Sequence, residues 1–173
     1  MTHVYIPATL AMLQHLVAHG ELTPVSGIAF AVTPALREAY AEGDDDELAE
    51  VALREAALAS LRLLAAERDA GTEDLPPRRA VLAAEADLGE SGAEHRPDLD
   101  DAVVKLGAPI AMGRVIAAYV DTVEAEPDVV TAIEAIDAAD LGDEDAELAV
   151  GDAQDHDLAW YAAQELPFLL ELL

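Results

Sequence analysis

The chain contains no cysteine among its 173 residues. This excludes disulfides, thiolate nucleophiles and cysteine-ligated zinc or iron–sulfur sites. Aromatic residues make up only 4% of the chain, against 53% for all hydrophobic residues, so we expect an aliphatic core built mainly from Ala, Leu and Val. The amino terminus lacks the pattern of a secretion signal, and no apolar run approaches the roughly 20 residues of a membrane helix. These absences predict a cytoplasmic protein with no membrane association.

Basic residues are scarce and unevenly placed. Nine Lys and Arg stand against 36 Asp and Glu, which gives a formal net charge of −27. Residues 121–173 contain 16 acids and no Lys or Arg, so part of the surface should carry a strong negative field. Such a surface repels nucleic-acid phosphates and anionic lipids, which argues against direct nucleic-acid binding. The charge either keeps the protein soluble or docks a basic protein partner, and adaptation to salt is a further source of it.

The densest acidic segment is the predicted partner-binding site. It comprises Asp143, Glu144, Asp145, Glu147 and Asp152. Counted from the first of these acids, the sixth position holds leucine and the twelfth glutamine, whereas a calcium loop needs glycine and glutamate there. We therefore predict neither a metal ion nor any other cofactor. Helix capping and solvation are the alternative role for these acids.

Apolar patterns along the chain predict one α/β domain over residues 1–173, of the mixed α+β type. We expect a mixed sheet of about five strands, a long central helix and a helical carboxyl-terminal layer. The predicted strands cover residues 4–6, 28–32, 79–84, 102–106 and 115–120. The predicted helices cover residues 9–18, 33–40 and 44–68, a stretch that begins at 127, residues 144–150, and a last stretch that begins at 155. Residues 88–97 are expected to form a polar connection.

Local signals fix the starts of three helices. Thr9, Thr33 and Asp44 each precede a helical pattern and can act as N-caps. Apolar residues of the helix that follows Asp44 spread over most of its circumference. A helix of that kind is covered on more than one side, so we expect it to be the central packing element.

The most concentrated group of chemically able side chains is Asp155-His156-Asp157. A histidine oriented by an acid can act as a general base or as a ligand. The alternative is structural: Asp155 would cap the last helix, and the aromatic pair Trp160 and Tyr161 would anchor that helix to the core. If the protein has a catalytic site, these residues are its first candidates.

A ligand pocket is the rival to a partner-binding role. Ligands commonly bind at strand ends in α/β sheets, and predicted strands end near Pro7 and Thr33. We therefore expect any pocket to join those two residues to Trp160 and Tyr161, beside His156. Given the negative field, its ligand would be neutral or cationic.

Other catalytic patterns are missing from the chain. His15 and His19 have metal-ligand spacing, but they lie opposite the apolar face of their helix, and no further ligand accompanies them. The three serines, Ser26, Ser60 and Ser91, do not occur in a Gly-x-Ser-x-Gly motif. Neither a P-loop nor a dinucleotide-binding glycine motif is present. Whether the protein is an enzyme stays open, although the missing motifs favour a non-enzymatic role.

The last six residues, 168–173, are strongly apolar. They either dock on the protein's own core or form a contact with a partner, such as a homodimer interface.

Four segments carry a resemblance to a known family. They are residues 4–9, residues 30–38, residues 57–64 and residues 155–161. Together they resemble an actinobacterial family of uncharacterised proteins over most of the chain. The resemblance implies an intracellular protein from a high-GC actinobacterial source. It implies no activity, cofactor or catalytic residue. The one-signed carboxyl-terminal third and the missing catalytic motifs lead to our main hypothesis: a non-enzymatic cytoplasmic interaction or regulatory module that presents an acidic face to a basic protein.

Overall fold

The computed structural model describes residues 2–71, 75–87 and 93–173, and an antiparallel sheet forms its centre. The described strands are Thr2–Ala8 (β1), Glu21–Leu22 (β2), Ile28–Phe30 (β3), Ala80–Ala86 (β4), Ala93–His95 (β5), Val103–Leu106 (β6), Ile110–Ala111 (β7), Val115–Val120 (β8) and Ala159–Ala162 (β9). Seven of them form one sheet in the order β5-β6-β3-β1-β4-β8-β9, in which every pair is antiparallel. The remaining two, β2 and β7, form a separate two-stranded ribbon.

The described helices are Leu10–His19 (α1), Pro34–Ala39 (α2), Asp45–Asp69 (α3), Glu126–Asp140 (α4), Glu144–Gln154 (α5) and Leu166–Glu171 (α6). All three predicted N-caps are confirmed, because the side chains of Thr9, Thr33 and Asp44 each accept a backbone N–H from the first turn that follows. These short polar side chains fix the starts of α1, α2 and α3.

Helices cover both faces of the sheet. On one face, Leu13 and Leu16 of α1 and Leu166 of α6 belong to the same buried cluster as Ile6 and Leu82 of the sheet. On the other face, small residues of α3 pack against β3, β4 and β6. Alanine side chains let this helix approach the strands closely, which fits the expectation of an aliphatic core.

The long helix α3 is covered on two sides, as the sequence predicts. Its outer side, with Leu61 and Leu64, contacts Val129 and Ile136 of α4 and Val150 of α5. The helices α4 and α5 thus form a hairpin that lies on α3 and not on the sheet. We refer to this pair as the α4–α5 hairpin.

The predicted sheet of about five mixed strands is wrong in size and in type. The large sheet has seven strands, and it is antiparallel throughout. One missed strand, β5, lies inside the predicted polar connection, whose residues 88–92 are outside the described part of the chain. The strands β5 and β9 have three and four residues, too few for alternation to reveal them.

The helix predicted from Asp155 is also wrong. Helix α5 extends to Gln154, so Asp155 is the residue that ends it and not the N-cap of a new helix. The segment that follows forms the edge strand β9, which contains Trp160 and Tyr161. Those two aromatic residues therefore belong to the sheet.

None of the helices in the described part of the chain has the length and apolar character required to cross a bilayer.

Candidate functional site

Four arginines form ion pairs with acids of α4 or of the segment just before it. Arg62 and Arg68 of α3 pair with Asp140 and Glu134 of α4, at 2.9 and 3.1 Å. Two further arginines, residues 78 and 79, precede β4 and pair with Glu126 and Asp121, at 3.1 and 2.8 Å. Every acid in these pairs comes from residues 121–140. Four of the chain's nine basic residues are thus engaged with the first part of the acidic carboxyl-terminal third.

The pair between Arg62 and Asp140 shows how strongly these contacts hold a carboxylate in its charged form. Two guanidinium nitrogens donate to the two oxygens of Asp140, at 2.9 and 3.1 Å. The hydrogen bond from Arg62 lowers the pKa of Asp140 below its ordinary value. Asp140 therefore stays charged, and paired with Arg62, to a lower pH than an ordinary aspartate does.

Helix α5 presents an acidic surface that faces away from α3. Its inner side buries Ala146, Val150 and Ala153, whereas Glu144, Asp145, Glu147, Leu148 and Asp152 are exposed. We call these five exposed residues the acidic face. Together with the helix cap Asp143, whose carboxylate accepts the N–H of residue 146 at 2.9 Å, they include all the acids predicted to bind a partner.

An exposed leucine lies in the middle of the acidic face. Leu148 is 68% exposed. Helical spacing places Glu144 four residues before it, Asp145 three residues before it and Asp152 four residues after it. Leu141, in the turn between the two helices, is 89% exposed. The acidic face therefore combines one exposed apolar side chain, Leu148, with surrounding carboxylates.

The predicted catalytic residue His156 is part of a polar network that connects it to α4 and to Arg79, the residue before β4. Its Nε2 atom lies 2.7 Å from Oδ2 of Asp128 in α4. Its backbone carbonyl accepts a hydrogen bond from Arg79 at 3.0 Å. The acid that orients this histidine is thus distant in sequence. The neighbouring acids Asp155 and Asp157 are exposed, and the structure describes no hydrogen bond between either carboxylate and the histidine.

Sequence reasoning missed the centre of this network, which is a buried ion pair. Arg79 and Asp121 are 1% and 0% exposed. The Nη1 atom of the arginine also donates to Oε1 of Gln154 at 2.7 Å. In the sequence, this pair is visible only as an arginine directly before one apolar strand, β4, and an aspartate directly after another strand, β8. Because all these groups are mutually hydrogen-bonded, the network serves as a junction between sheet and hairpin.

Three of the four residues of the predicted ligand pocket, Pro7, Trp160 and Tyr161, lie on two separated strands of the sheet. Register pairs join Pro7 to Val81, Val81 to Tyr119, and Tyr119 to Trp160, so Pro7 and Trp160 share one row but are separated by two strands. Tyr161, next to Trp160, packs against the core cluster on the face covered by α1.

Thr33 is buried at the start of α2. Its hydroxyl donates to the backbone carbonyl of Asp101 and accepts the N–H of Leu36. Both hydrogen-bonding functions of this side chain are therefore used within the protein.

Two cavities that the described residues form lie elsewhere. The larger has a volume of about 260 Å³ and lies between α1, α3, α4 and residues 75–77. The smaller, about 210 Å³, lies beside the β2–β7 ribbon and includes Glu85 and Arg114. Neither is lined by Pro7, Thr33 or His156.

The remaining candidates have structural or solvent-facing positions. His15 and His19 are exposed, with ring centroids 4.3 Å apart. Among the described residues, no group of three or more His, Asp or Glu side chains is arranged to hold a metal ion. Ser60 is buried and bonded to backbone, at 2.7 Å to the carbonyl of Ala8. Ser91 lies outside the described residues.

The apolar carboxyl-terminal segment is divided between core and surface. Leu169 is buried and Leu170 packs against the core cluster, whereas Phe168 and Leu172 are 69% and 85% exposed. The segment thus docks on its own core through one side and leaves the other side uncovered.

Comparison with known proteins gives a family but no function. No curated protein matches the chain, and no solved structure matches it. One family model, described as a family of unknown function, covers residues 2–170. This match confirms the resemblance to an uncharacterised family, while an actinobacterial source stays a prediction. Because the model covers almost the whole sequence, the chain belongs to the family of unknown function DUF6912.

Proposed function

We propose that the protein is a binding module whose acidic face on α5 docks a basic protein partner. The observation that carries this proposal is that the acids of residues 121–173 fall into an arginine-paired group and an exposed group on α5. Acids along α4 and just before it pair with arginines of α3 and of the segment that precedes β4. Acids on the outer side of α5 surround an exposed leucine.

The hairpin is a rigid support for such a surface. Its inner side is packed against α3 through aliphatic residues, and α5 begins at a capped residue, Asp143. A preorganised surface loses little conformational entropy when it binds, which favours affinity. Carboxylates at the rim of a contact mainly steer association and set specificity, whereas a central apolar side chain contributes the larger share of binding energy.

A basic partner is the occupant that the charge favours. The chain carries a net charge of −27, so a positively charged surface is drawn to it over long range and at a rate that falls with salt. Nucleic acids and anionic membranes carry charge of the same sign as this face. The central leucine argues for a protein, since it supplies an apolar contact that a simple counterion cannot use.

The test compares capture from a lysate of the source organism by matched charge variants. The test variant combines Glu144→Gln, Asp145→Asn, Glu147→Gln and Asp152→Asn. The control variant combines Glu38→Gln, Glu42→Gln, Asp46→Asn and Glu50→Gln, which remove the same charge from exposed positions outside the hairpin. Direct binding of the captured protein, once purified, is then measured at two salt concentrations.

The proposal predicts one stoichiometric basic protein that the wild type and the control variant bind equally. The test variant should bind it more weakly by about tenfold or more, which corresponds to about 1.4 kcal/mol. Leu148→Ala should weaken binding without changing its salt dependence. Equal binding by both charge variants, or capture of no basic protein, would overturn the assignment.

A further inference from the structure

Within the described residues, the strand β9 ends the seven-stranded sheet and has one strand neighbour. It pairs with β8 through four register positions, from Ala159 opposite Val120 to Ala162 opposite Ala117. No further strand of the described ranges lies on its other side. Part of its backbone hydrogen-bonding capacity is therefore directed away from the sheet.

The hydrogen bonds identify which backbone groups point outward. The N–H of Ala162 donates to the Glu165 side chain at 3.2 Å and not to β8. Successive residues of a strand direct their backbone groups to opposite sides. Trp160, two residues earlier, therefore presents its N–H and carbonyl on the same outer side. A further strand laid along β9 would pair with Trp160.

The side chains of this edge strand do not protect it against strand addition. Proteins commonly protect edge strands by keeping them short, as β9 is, or with charged side chains, proline or bulges. The four residues of β9 include no charged residue and no proline. The opposite edge, β5, contrasts with it, because two of its three residues, Glu94 and His95, are polar and exposed.

The acidic residues on both sides of β9 favour an incoming strand that carries positive charge. The exposed acids Asp155 and Asp157 precede the strand, and Glu165 follows it. Trp160, the only tryptophan of the chain, is 57% exposed. An arginine or lysine of an incoming segment could stack on its ring. A second copy of this chain would instead bring acids of the same sign to both ends of the strand.

We infer that β9 receives an extended, arginine- or lysine-containing segment of the partner as an eighth strand of the sheet. The segment pairs its backbone with Trp160 and places a cationic side chain over the indole ring. This inference rests on the proposed function, since it assigns part of the basic partner to the strand that follows α5. The acidic face then contacts the folded surface of the same partner.

The test uses defined peptides and the fluorescence of Trp160. The probe is a capped peptide in which arginine alternates with valine and threonine. The first comparison peptide has the same sequence with alternate backbone amides N-methylated, so that it keeps the charge but cannot pair on that edge. In the second, glutamine replaces arginine. Emission of Trp160 and the amide shifts of residues 158–162 report binding.

Strand addition predicts that the unmodified peptide binds about tenfold or more tightly than the N-methylated one, since N-methylation removes the backbone hydrogen bonds that the added strand makes to β9. Trp160→Thr, followed by amide shifts, should weaken binding, whereas Phe168→Ser, which alters an exposed aromatic residue outside the edge, should not. Equal affinity for the methylated and unmethylated peptides, or no binding of either, overturns the inference.

The two proposals fail in different ways. In one outcome, binding of the purified partner requires the acidic face, and an excess of the unmodified peptide does not compete with it. Strand addition is then wrong and the proposed function stands. If the peptide competes with the partner while the charge variants of α5 bind that partner normally, β9 is the docking site and the assignment to the acidic face is wrong.

Discussion

Arg79 and Asp121 form a two-point ion pair in which Nε and Nη2 each donate to one carboxylate oxygen at 2.8 Å. The backbone N–H of the arginine donates to the same carboxylate, also at 2.8 Å. Both residues are almost completely buried, at the start of β4 and the end of β8. The pair connects the sheet to the hairpin through Gln154 and the carbonyl of His156.

Removing either partner of this pair should destabilise the protein strongly. An uncompensated buried charge typically costs about 3–5 kcal/mol of unfolding free energy. We expect a loss of that size for Arg79→Met and for Asp121→Leu in urea denaturation. The double variant should be more stable than Arg79→Met alone, because it no longer buries a lone carboxylate. A loss below about 1 kcal/mol in both single variants would show that the pair is not a structural junction.

Ser60 should contribute to stability through its hydroxyl. The side chain donates to the carbonyl of Ala8 and accepts the N–H of Ala80 at 3.0 Å, which joins α3 to β1 and β4. Ser60→Ala leaves two backbone groups without this partner, so we expect a loss of about 1–3 kcal/mol. Thr131→Ala is the control, because its hydroxyl is exposed on α4. Equal effects of the two substitutions in chemical denaturation would contradict this role.

The sequence predicted the parts of the fold that local chemistry specifies. The caps Thr9, Thr33 and Asp44 were readable because a short polar side chain bonds to the backbone three residues later. Local chemistry also led to one wrong prediction. Asp155 precedes an apolar stretch and therefore resembles an N-cap, but it is the residue that ends α5. The strand that follows depends on pairing with β8, which is distant in sequence and leaves no local pattern.

The candidate site was predictable in composition but not in arrangement. The acids from Asp143 to Asp152 were visible as a one-signed block. Which acids are paired with arginine and which are exposed depends on how the hairpin lies on α3, and no spacing rule relates Arg62 to Asp140. The partner of His156 was likewise hidden, since Asp128 is 28 residues away.

Replacing two glycines of the hairpin with alanine should change the stability of the protein in opposite directions. Gly151 lies within α5, and an added methyl group there would have no neighbour within 4 Å. Gly151→Ala should stabilise the protein by about 0.5–1 kcal/mol, because glycine is a weak helix former. Gly142, between α4 and α5, has a φ angle of +94°. Gly142→Ala should destabilise by about 1 kcal/mol. Thermal unfolding of both variants tests this pair, and a shift of the same sign in each would contradict it.

Glu55 should make the stability of the protein depend on pH. Burial in α3, with a smaller contribution from Asp100, raises the pKa of its carboxyl above the usual value. A raised pKa in the folded state means that the protonated form favours folding, so stability falls as the pH rises through that pKa. Glu55→Gln removes this effect. We expect the variant to be more stable than the wild type at neutral pH.

The difference between Glu55→Gln and the wild type should shrink as the pH falls from neutral through the raised pKa to the ordinary glutamate value, and should stay constant below it. Melting temperatures over a range of acidic to neutral pH measure it. The control is Glu50→Gln, which removes the same charge from an exposed position of the same helix. A constant difference at every pH would mean that burial of this carboxyl is not the cause.

Hydrogen exchange on the complex with the captured partner tests the central claim most directly, because it maps where the partner binds without any substitution. We predict slower exchange on binding in α5 and in β9, with no change around the cavity between α1, α3 and α4. Protection confined to that cavity or to α1, with unchanged exchange throughout α5, would contradict the account of the acidic face as the docking surface.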